Sequence, residues 1–274
     1  MFKESYQGKN KKIFWQEMWR HEFHEALEKD PVIILPTGSI EQHGPHCPMD
    51  VDISIPFHLA VEVAQTVDEF PTIVAPPLWW GLSHYNKGFP GTISLELETF
   101  QHVLADVCRS IYENGFKRIV VLNGHGGNDA PVRTVRDTIS EENIFIISYS
   151  WWQSVEKEMG ELSEADGSSV GHAGEWETSV QLYLRENLVS KENITADRGL
   201  MRPFSEQLTA FARFAERRSD TEEKTGVSGN AEVATKDKGK KIFNLAASRL
   251  EEVVREFHTE PVRDYWEFGS FCPK

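Results

Sequence analysis

The segment Glu41-Gln42-His43-Gly44 and the nearby Asp52 carry the side chains of this chain that are best suited to chemistry. They follow the apolar run 31–36, which predicts a short buried strand, and open α/β sheets build their sites at the carboxyl ends of strands. Carboxylate and imidazole together suit zinc, manganese or iron, and the two oxygens of Asp52 could bridge two such ions. Taken alone, the segment favours a turn with a solvated glutamate and a hydrogen-bonded histidine.

A second candidate ligand, His125, follows the apolar run 118–122, which predicts a buried parallel strand. It lies in the loop Asn123-Gly-His-Gly-Gly-Asn128, whose three glycines allow positive φ angles and close approach of the backbone. A phosphate-binding loop is the alternative, but the spacing matches neither GxGxxG nor a Walker loop. A histidine inside the loop favours a metal over a phosphate.

A third polar segment contains His172, Glu175 and Glu177 and precedes a stretch of helical apolar spacing over 180–185. The helix dipole favours carboxylates at a helix start, which would explain one of the two glutamates without any function. His172 is five residues before Glu177, a spacing that can place an imidazole and a carboxylate in one pocket.

Together these segments resemble the creatininase family of metal-dependent amidohydrolases. The matching motifs span about Phe14 to Phe257 and occur in family order: PTGSIEQHG (36–44) with Asp52, GFPGT (88–92), NGHGGN (123–128) and HAGEWETS (172–179). The resemblance implies a dinuclear metal site bridged by Asp52, with the ligands Glu41, His43, Asp52 and His125. It also implies that His172 moves protons onto the leaving group and that Glu177 is an acidic residue of the same site.

One departure from the family pattern concerns Gly127. Creatininase itself has a metal-binding glutamate two residues after its loop histidine, where this chain has glycine. Either one metal has lost a ligand or Glu177 supplies the missing carboxylate, and the second option is preferred. The same departure makes creatinine a doubtful substrate.

The expected activity is hydrolysis by a metal-bound hydroxide on two zinc, manganese or iron ions per chain, attacking the carbonyl of a small cyclic or linear amide. His172 would act as general acid and base, and Glu177 would complete a metal site or orient His172. Hydrolytic C–C cleavage of a cyclic polyhydroxy ketone or diketone is an alternative on the same site. A non-catalytic metal-binding or assembly protein is the third possibility.

Ser83, His84 and Trp176 are candidate substrate contacts. Ser83 and His84 fall near the substrate-contact loop of the family, and Trp176 lies inside the third motif. Most tryptophans pack in cores or interfaces, but the pairs at 79–80 and 151–152 stand at expected strand ends. Pockets are mostly apolar with few polar groups, so the tryptophan pairs favour a ligand pocket, in which Ser83 and His84 would face a small polar ring substrate.

Composition limits the class of partner. The 274 residues carry a net charge of −14, which argues against nucleic acid and anionic membrane surfaces. No apolar stretch approaches the roughly 20 residues of a membrane span, and the N-terminus lacks the apolar core of a signal peptide. Cys47, Cys108 and Cys272 show neither disulfide nor zinc-ribbon spacing, so a reducing cytoplasm is expected. The family resemblance implies a homo-oligomer, as creatininases form hexamers.

Strand-like and helix-like apolar patterns alternate along the chain. They predict one α/β domain over 1–274 with three layers, a mostly parallel sheet with helices on both faces. Strands are expected over 32–35, 72–75, 119–122 and 144–148. Helices are expected over 14–27, 56–67, 97–114, 130–139, 180–185 and 241–257. The polar region 199–240 is expected to form a long excursion that a neighbouring subunit could order.

Overall fold

A four-stranded parallel sheet forms the centre of the computed structural model, which describes residues 11–165, 171–197 and 225–262. The strands are β1 (Val32–Thr37), β2 (Thr72–Val74), β3 (Arg118–Asn123) and β4 (Ile146–Ser150), in the order β2-β1-β3-β4. Every residue of β1 and β3 is buried, as expected for strands covered on both faces. The mostly parallel sheet expected from the sequence is confirmed.

Helices cover both faces of the sheet, so the three-layer architecture is also confirmed. Ile33 and Leu35 of β1 pack in one hydrophobic cluster, and Val32 and Ile34 pack in the other, because successive strand residues point to opposite faces. The first cluster includes residues of α1 (Arg20–Leu27), α3 (Leu97–Glu113) and α4 (Asp129–Ser140). The second includes residues of α2 (Val51–Thr66), α5 (Glu156–Leu162), α6 (Glu175–Arg185) and α7 (Lys236–Thr259).

The first helix is shorter than expected from the sequence. A 3-10 turn covers Trp15–Glu17, and α1 begins only at Arg20. Trp19 is extended, and its backbone N–H donates to the Glu22 carboxylate at 2.7 Å. This capping bond satisfies a backbone donor at the helix start and marks a boundary that the apolar spacing alone does not reveal.

Helix α2 begins five residues earlier than expected, at Val51, so that Pro56 lies inside the helix instead of in its first turn. Proline lacks the N–H that would bond the carbonyl of Asp52 four residues back. That carbonyl instead lies against Gly38 and Gly124, where a Cβ would come within 2.4 and 1.9 Å of it. The early start places Asp52 in the first turn of α2.

Helices α6 and α7 also begin earlier than expected. Helix α6 begins at Glu175 and α7 at Lys236, where Thr235 caps the helix by accepting from the backbone N–H of Lys238 at 3.2 Å. Strand β4 is displaced by two residues relative to the expected strand. Of the expected excursion 199–240, residues 199–224 lie outside the described residues. Residues 229–230 pair with 196–197 in a two-stranded antiparallel ribbon, so the last part of that excursion is ordered structure.

Within the described ranges, no helix combines the length and apolar content that a bilayer span requires.

A buried ion pair joins α6 to α7. The Lys238 ammonium donates to the Glu175 carboxylate at 2.7 Å, and Glu175 also accepts from the hydroxyl of Ser163 and from the backbone N–H groups of Glu164 and Ala165. Burial alone would raise the pKa of Glu175, but the bonds from Lys238 and Ser163 outweigh it and lower that pKa. Burial would lower the pKa of Lys238, and its bonds to Glu175 and Glu164 raise it instead.

Replacing Lys238 by methionine should lower the free energy of unfolding by about 3–5 kcal/mol, because it leaves the Glu175 carboxylate buried without its cation. The stabilisation from Glu175 is present above its ordinary pKa of 4.5 and is lost as the pH falls through its lowered folded pKa. The stabilisation from Lys238 is present below 10.5 and is lost as the pH rises through its raised pKa. Urea unfolding between pH 3 and 11 measures the free energy of unfolding across both pH ranges, with the exposed Lys240→Met as the control. An equal loss of unfolding free energy in the two variants would contradict a stabilising role for the Lys238–Glu175 pair.

Candidate metal centre

Five polar residues meet at the carboxyl-terminal edge of the sheet. Glu41 and His43 follow β1, His125 follows β3, Asp52 lies in the first turn of α2, and Glu177 lies in the first turn of α6. Four of the five are buried, and the side chain of Glu177 is 21% exposed. The structure therefore brings together every metal ligand that the sequence suggested.

The five residues form two triads that share Asp52. In triad A, His125 Nδ1 lies 2.9 Å from Asp52 Oδ2 and 3.4 Å from Glu41 Oε1. In triad B, His43 Nε2 lies 3.1 Å from Asp52 Oδ1 and 3.7 Å from Glu177 Oε2. Within each triad the potential ligand atoms all lie within 4.8 Å of one another. Asp52 thus offers one oxygen to each triad, as a carboxylate that bridges two ions would.

Each imidazole is oriented by a backbone carbonyl. His125 Nε2 lies 2.9 Å from the carbonyl oxygen of Leu82, and His43 Nδ1 lies 3.1 Å from that of Glu41. A carbonyl only accepts, so these two nitrogens carry the protons. The other nitrogen of each ring faces the carboxylates and would offer its lone pair to a metal ion bound there, as in metal-binding histidines whose second nitrogen donates to a carbonyl.

The carboxylates have unmet capacity to bind a cation. Glu41 Oε2 and Asp52 Oδ2 are buried and accept no hydrogen bond from the described residues. A buried carboxylate oxygen without a donor is costly unless a cation compensates it. Nitrogens of two imidazoles and oxygens of three carboxylates converge on the same space, which fits divalent zinc or manganese. The residues present therefore fit a dinuclear metal site.

The pKa values reflect the negative charge of the pocket. Burial raises the pKa of Glu177 to about 7, and the neighbouring carboxylates of Asp52 and Glu41 add to the increase. Burial would lower the pKa of His43 and His125, but the carboxylates beside them raise these values to about 9 and about 10. Burial would raise the pKa of Asp52, yet the two imidazoles hold it below its usual range. The pocket thus attracts positive charge, which divalent cations supply.

His172 lies beside both triads, in the turn that precedes α6. Its Nδ1 lies 3.3 Å from Glu41 Oε1, and its ring centroid lies 4.2 Å from that of His43. The next residue, Ala173, has a φ of 55°, a left-handed conformation that costs a non-glycine residue on the order of 1–3 kcal/mol. The Ala173 N–H donates to Glu177 Oε2 at 2.6 Å, so the strained turn positions His172 and Glu177 together.

The three candidate substrate contacts occupy different environments. Ser83 is buried, and its hydroxyl makes a hydrogen bond to that of Ser39. The His84 side chain is 41% exposed and lies 3.9 Å from Glu96. Trp176 is partly buried, and its indole N–H has no acceptor among the described residues. Contact of these side chains with substrate stays a prediction.

Cys47 lies close to the centre but is a poor nucleophile. Burial raises the pKa of its thiol to about 12, and its sulfur lies 3.8 Å from the hydroxyl of Thr178. A thiol that stays protonated does not attack a carbonyl. Cys108 is buried in the core, and Cys272 lies outside the described residues.

Sequence reasoning missed Arg185, which connects the two helices that carry Asp52 and Glu177. Its guanidinium binds the Asp50 carboxylate through two bonds of 2.7 Å and also donates to Ser54 on α2. Asp50 stands immediately before α2. This fork joins the C-terminal end of α6 to the start of α2 and so fixes the two helices relative to each other. No local signal in the sequence indicates the contact, because 135 residues separate the partners.

Gly127 stands in a position with no room for a side chain. A Cβ there would lie 2.3 Å from the carbonyl oxygen of Leu82 and 2.5 Å from His125 Nε2, the two atoms joined by the hydrogen bond that orients His125. A glutamate at this position would displace the loop. Glu177 is the carboxylate that belongs to triad B alone, and its replacement of the missing ligand stays a prediction.

Gly127→Ala is expected to weaken metal binding by about 10–100-fold, since loss of a bond that orients a metal-binding histidine has effects of that size. Gly126→Ala is the matched control, because a Cβ at Gly126 meets nothing within 4 Å. Zinc competition with a chromogenic chelator measures both affinities. Equal zinc affinities in the two variants would show that the contact of Gly127 with Leu82 and His125 does not support the site.

Comparisons with known proteins agree with this geometry. The creatininase family, described as creatinine amidohydrolase, matches residues 16–254. Creatinine amidohydrolase from Pseudomonas putida is 27% identical over 90% of this chain and 98% of its own length. A mycofactocin precursor peptide peptidase from Mycobacterium ulcerans is 32% identical over 78% and 80%. A 3-dehydro-scyllo-inosose hydrolase from Thermotoga maritima is 29% identical over 66% and 58%.

Solved structures show the same fold. A manganese creatininase and a zinc–zinc form of a creatininase mutant each superpose with a TM-score of 0.77 at 25% sequence identity. Both alignments cover 91% of this chain and 100% of the other.

Proposed function

This chain belongs to the creatininase family of metal-dependent hydrolases, and from that premise we propose that it cleaves the C–N bond of a small cyclic or linear amide. The observation that carries the proposal is the position of His172, whose Nδ1 lies 3.3 Å from Glu41 and whose ring is next to His43. A group able to move protons therefore stands beside two sets of metal ligands.

Triads A and B would each hold one divalent ion, with Asp52 between them. The zinc and manganese forms of the similar structures support these two metals, and iron suits the same ligand types. Bound here, two ions would activate a water molecule and polarise the substrate carbonyl. Glu177 has two roles in this proposal, because it faces His43 in triad B and also accepts from the backbone of Ala173.

His172 would serve the breaking bond. As the oxygen of water bonds to the carbonyl carbon and the C–N bond breaks, the departing nitrogen takes one proton. His172 accepts a proton from the water and delivers it to that nitrogen, so the products are a carboxylic acid and an amine. Ser83, His84 and Trp176 remain the proposed contacts for the rest of the substrate.

Hydrolytic C–C cleavage of a cyclic polyhydroxy ketone or diketone is the second candidate, and the similarity to the inosose hydrolase favours it. Water would add to a ketone carbonyl in the same way, and the proton from His172 would go to carbon instead of nitrogen. A non-catalytic metal-binding role is the least favoured, since it does not explain why the His172 imidazole lies beside the ligands Glu41 and His43.

The test is turnover by protein loaded with zinc or with manganese. The substrates are formanilide, creatinine, a short peptide and a cyclic polyhydroxy ketone, with products identified by mass spectrometry. Amine release from an amide, abolished in His43→Ala, would support the proposal. Turnover of the ketone alone would replace it with the second candidate, and turnover of none with both metals bound would favour the non-catalytic role.

We also propose that the chain forms a homo-oligomer in the cytoplasm. Trp80, Ile93 and Leu97 are each about half exposed, and large exposed apolar side chains are common where subunits meet. Light scattering during size-exclusion chromatography measures the state, and a monomeric mass would exclude it.

A further inference from the structure

Gln42 lies in the sequence between two of the proposed metal ligands, Glu41 and His43, and its side chain makes a separate set of hydrogen bonds. Its Oε1 accepts from the backbone N–H of Gly44 at 2.9 Å. Its Nε2 donates to the carbonyl of Gly226 at 2.8 Å and to Oδ1 of Asn86 at 2.9 Å. The side chain is buried and connects three separate segments of the chain.

The orientation of the Gln42 amide follows from its backbone partners. The N–H of Gly44 can only donate and the carbonyl of Gly226 can only accept, so a flipped amide would oppose both. The amide has two N–H protons, and Gly226 and Asn86 take both of them.

The side-chain amide and the backbone carbonyl of Gln42 together determine which nitrogen of the His172 ring carries the proton. Its Nε2 lies 2.9 Å from Gln42 Nε2 and 2.5 Å from the backbone carbonyl of Gln42. Since the protons of the Gln42 amide are already used and the carbonyl only accepts, His172 Nε2 carries a proton and donates it to that carbonyl. The lone pair of the neutral ring is then on Nδ1, the nitrogen that faces Glu41.

A closed ring of hydrogen bonds holds this arrangement. The backbone N–H of Ser228 donates to the carbonyl of His172 at 2.8 Å, and Gly226 is two residues before Ser228. The chain of contacts therefore runs from Gln42 through the His172 ring and backbone to Ser228 and Gly226, and returns to the Gln42 side chain. Segment 225–229 is mostly buried.

We propose that Gln42 is a positioning residue: its side chain closes this ring and thereby holds His172 with Nε2 anchored and Nδ1 presented to the reacting group. The proposal rests on the proposed role of His172 in amide hydrolysis. It assigns to Gln42 a task separate from metal binding, and it makes Nδ1 the nitrogen that exchanges the proton.

Two variants break this closed set of hydrogen bonds, one at Gln42 and one at Gly226. Gln42→Met keeps the length of the side chain and removes its hydrogen bonds. Gly226→Ala places a Cβ 1.9 Å from Gln42 Oε1, at a residue whose φ of +75° disfavours alanine, and so displaces the amide. Gly160→Ala is the matched control, because a Cβ at this helical glycine meets nothing within 4 Å.

The kinetic test compares formanilide with 4-nitroformanilide on zinc-loaded protein. Nitroaniline leaves readily, so proton delivery to its nitrogen matters less. Both variants should keep the metal content and KM of the wild type and lose about 10–100-fold in kcat on formanilide. The decrease in kcat on 4-nitroformanilide should be several-fold smaller. The kcat of the double variant should be no lower than that of the less active single variant.

Equal losses on the two anilides, or loss of metal, would overturn the proposal, because either would indicate a structural role. A readout independent of turnover is the ¹⁵N NMR spectrum of the histidine-labelled zinc form, with His172 identified by its absence in His172→Gln. The wild type should show a protonated Nε2 and an unprotonated Nδ1, and Gln42→Met should show a mixture of tautomers. A wild type protonated on Nδ1, or a variant with the wild-type tautomer, would reject the positioning role even if no amide is hydrolysed.

Discussion

Asp52→Ala should remove both divalent ions and lower turnover by at least about 10³-fold, since bound metals supply several kcal/mol of transition-state stabilisation. Asp52 presents Oδ1 to His43 and Oδ2 to His125, so its loss removes a ligand from triad A and from triad B together. Metal content per chain, measured by mass spectrometry on protein purified without added metal, is the direct readout.

Two further variants separate the shared ligand from an unshared one. Glu177→Ala should lose the ion of triad B and keep the ion of triad A, because Glu177 belongs only to triad B. Glu62→Ala, an exposed carboxylate on the same helix as Asp52, should keep both ions and full activity. Two ions retained in Asp52→Ala would mean that Asp52 is not the ligand shared by the two triads. Two ions retained in Glu177→Ala would mean that Glu177 does not replace the ligand missing at Gly127.

His172→Ala should keep both ions while kcat falls by about 10²–10⁴-fold, the range over which general acid–base catalysis contributes. His172 borders the site through Glu41 and His43 but belongs to neither triad. The decrease should be larger on formanilide than on 4-nitroformanilide, because the poorer leaving group needs the proton more. Steady-state kinetics and metal content on the same preparation measure both effects.

The control for this prediction is His21→Ala, which removes an exposed imidazole from α1. His172, Glu41 and His43 also lie close enough together to hold an ion. Loss of one ion in His172→Ala would therefore mean that His172 is a ligand, and the proton-transfer role would have to be abandoned.

The sequence by itself determined the kind of sheet and the kinds of ligand. The mostly apolar runs in β1 and β3 indicate strands buried on both faces, which is typical of parallel sheets covered by helices. Glu41, His43 and His125 directly follow these runs, so their position at the edge of the sheet was predictable from local pattern. The helix boundaries were less accessible, because capping contacts at Trp19 and Thr235, and not apolar spacing, mark the starts of α1 and α7.

Only the tertiary structure decided how the ligands are shared and what holds His172. The division into two triads depends on α2 and α6 meeting through Arg185 and Asp50, which are 135 residues apart. The ring around His172 joins Gln42 to Gly226 across 184 residues. Such contacts leave no periodic trace in the sequence, because they depend on the distance and direction between elements that the chain brings together only when it folds.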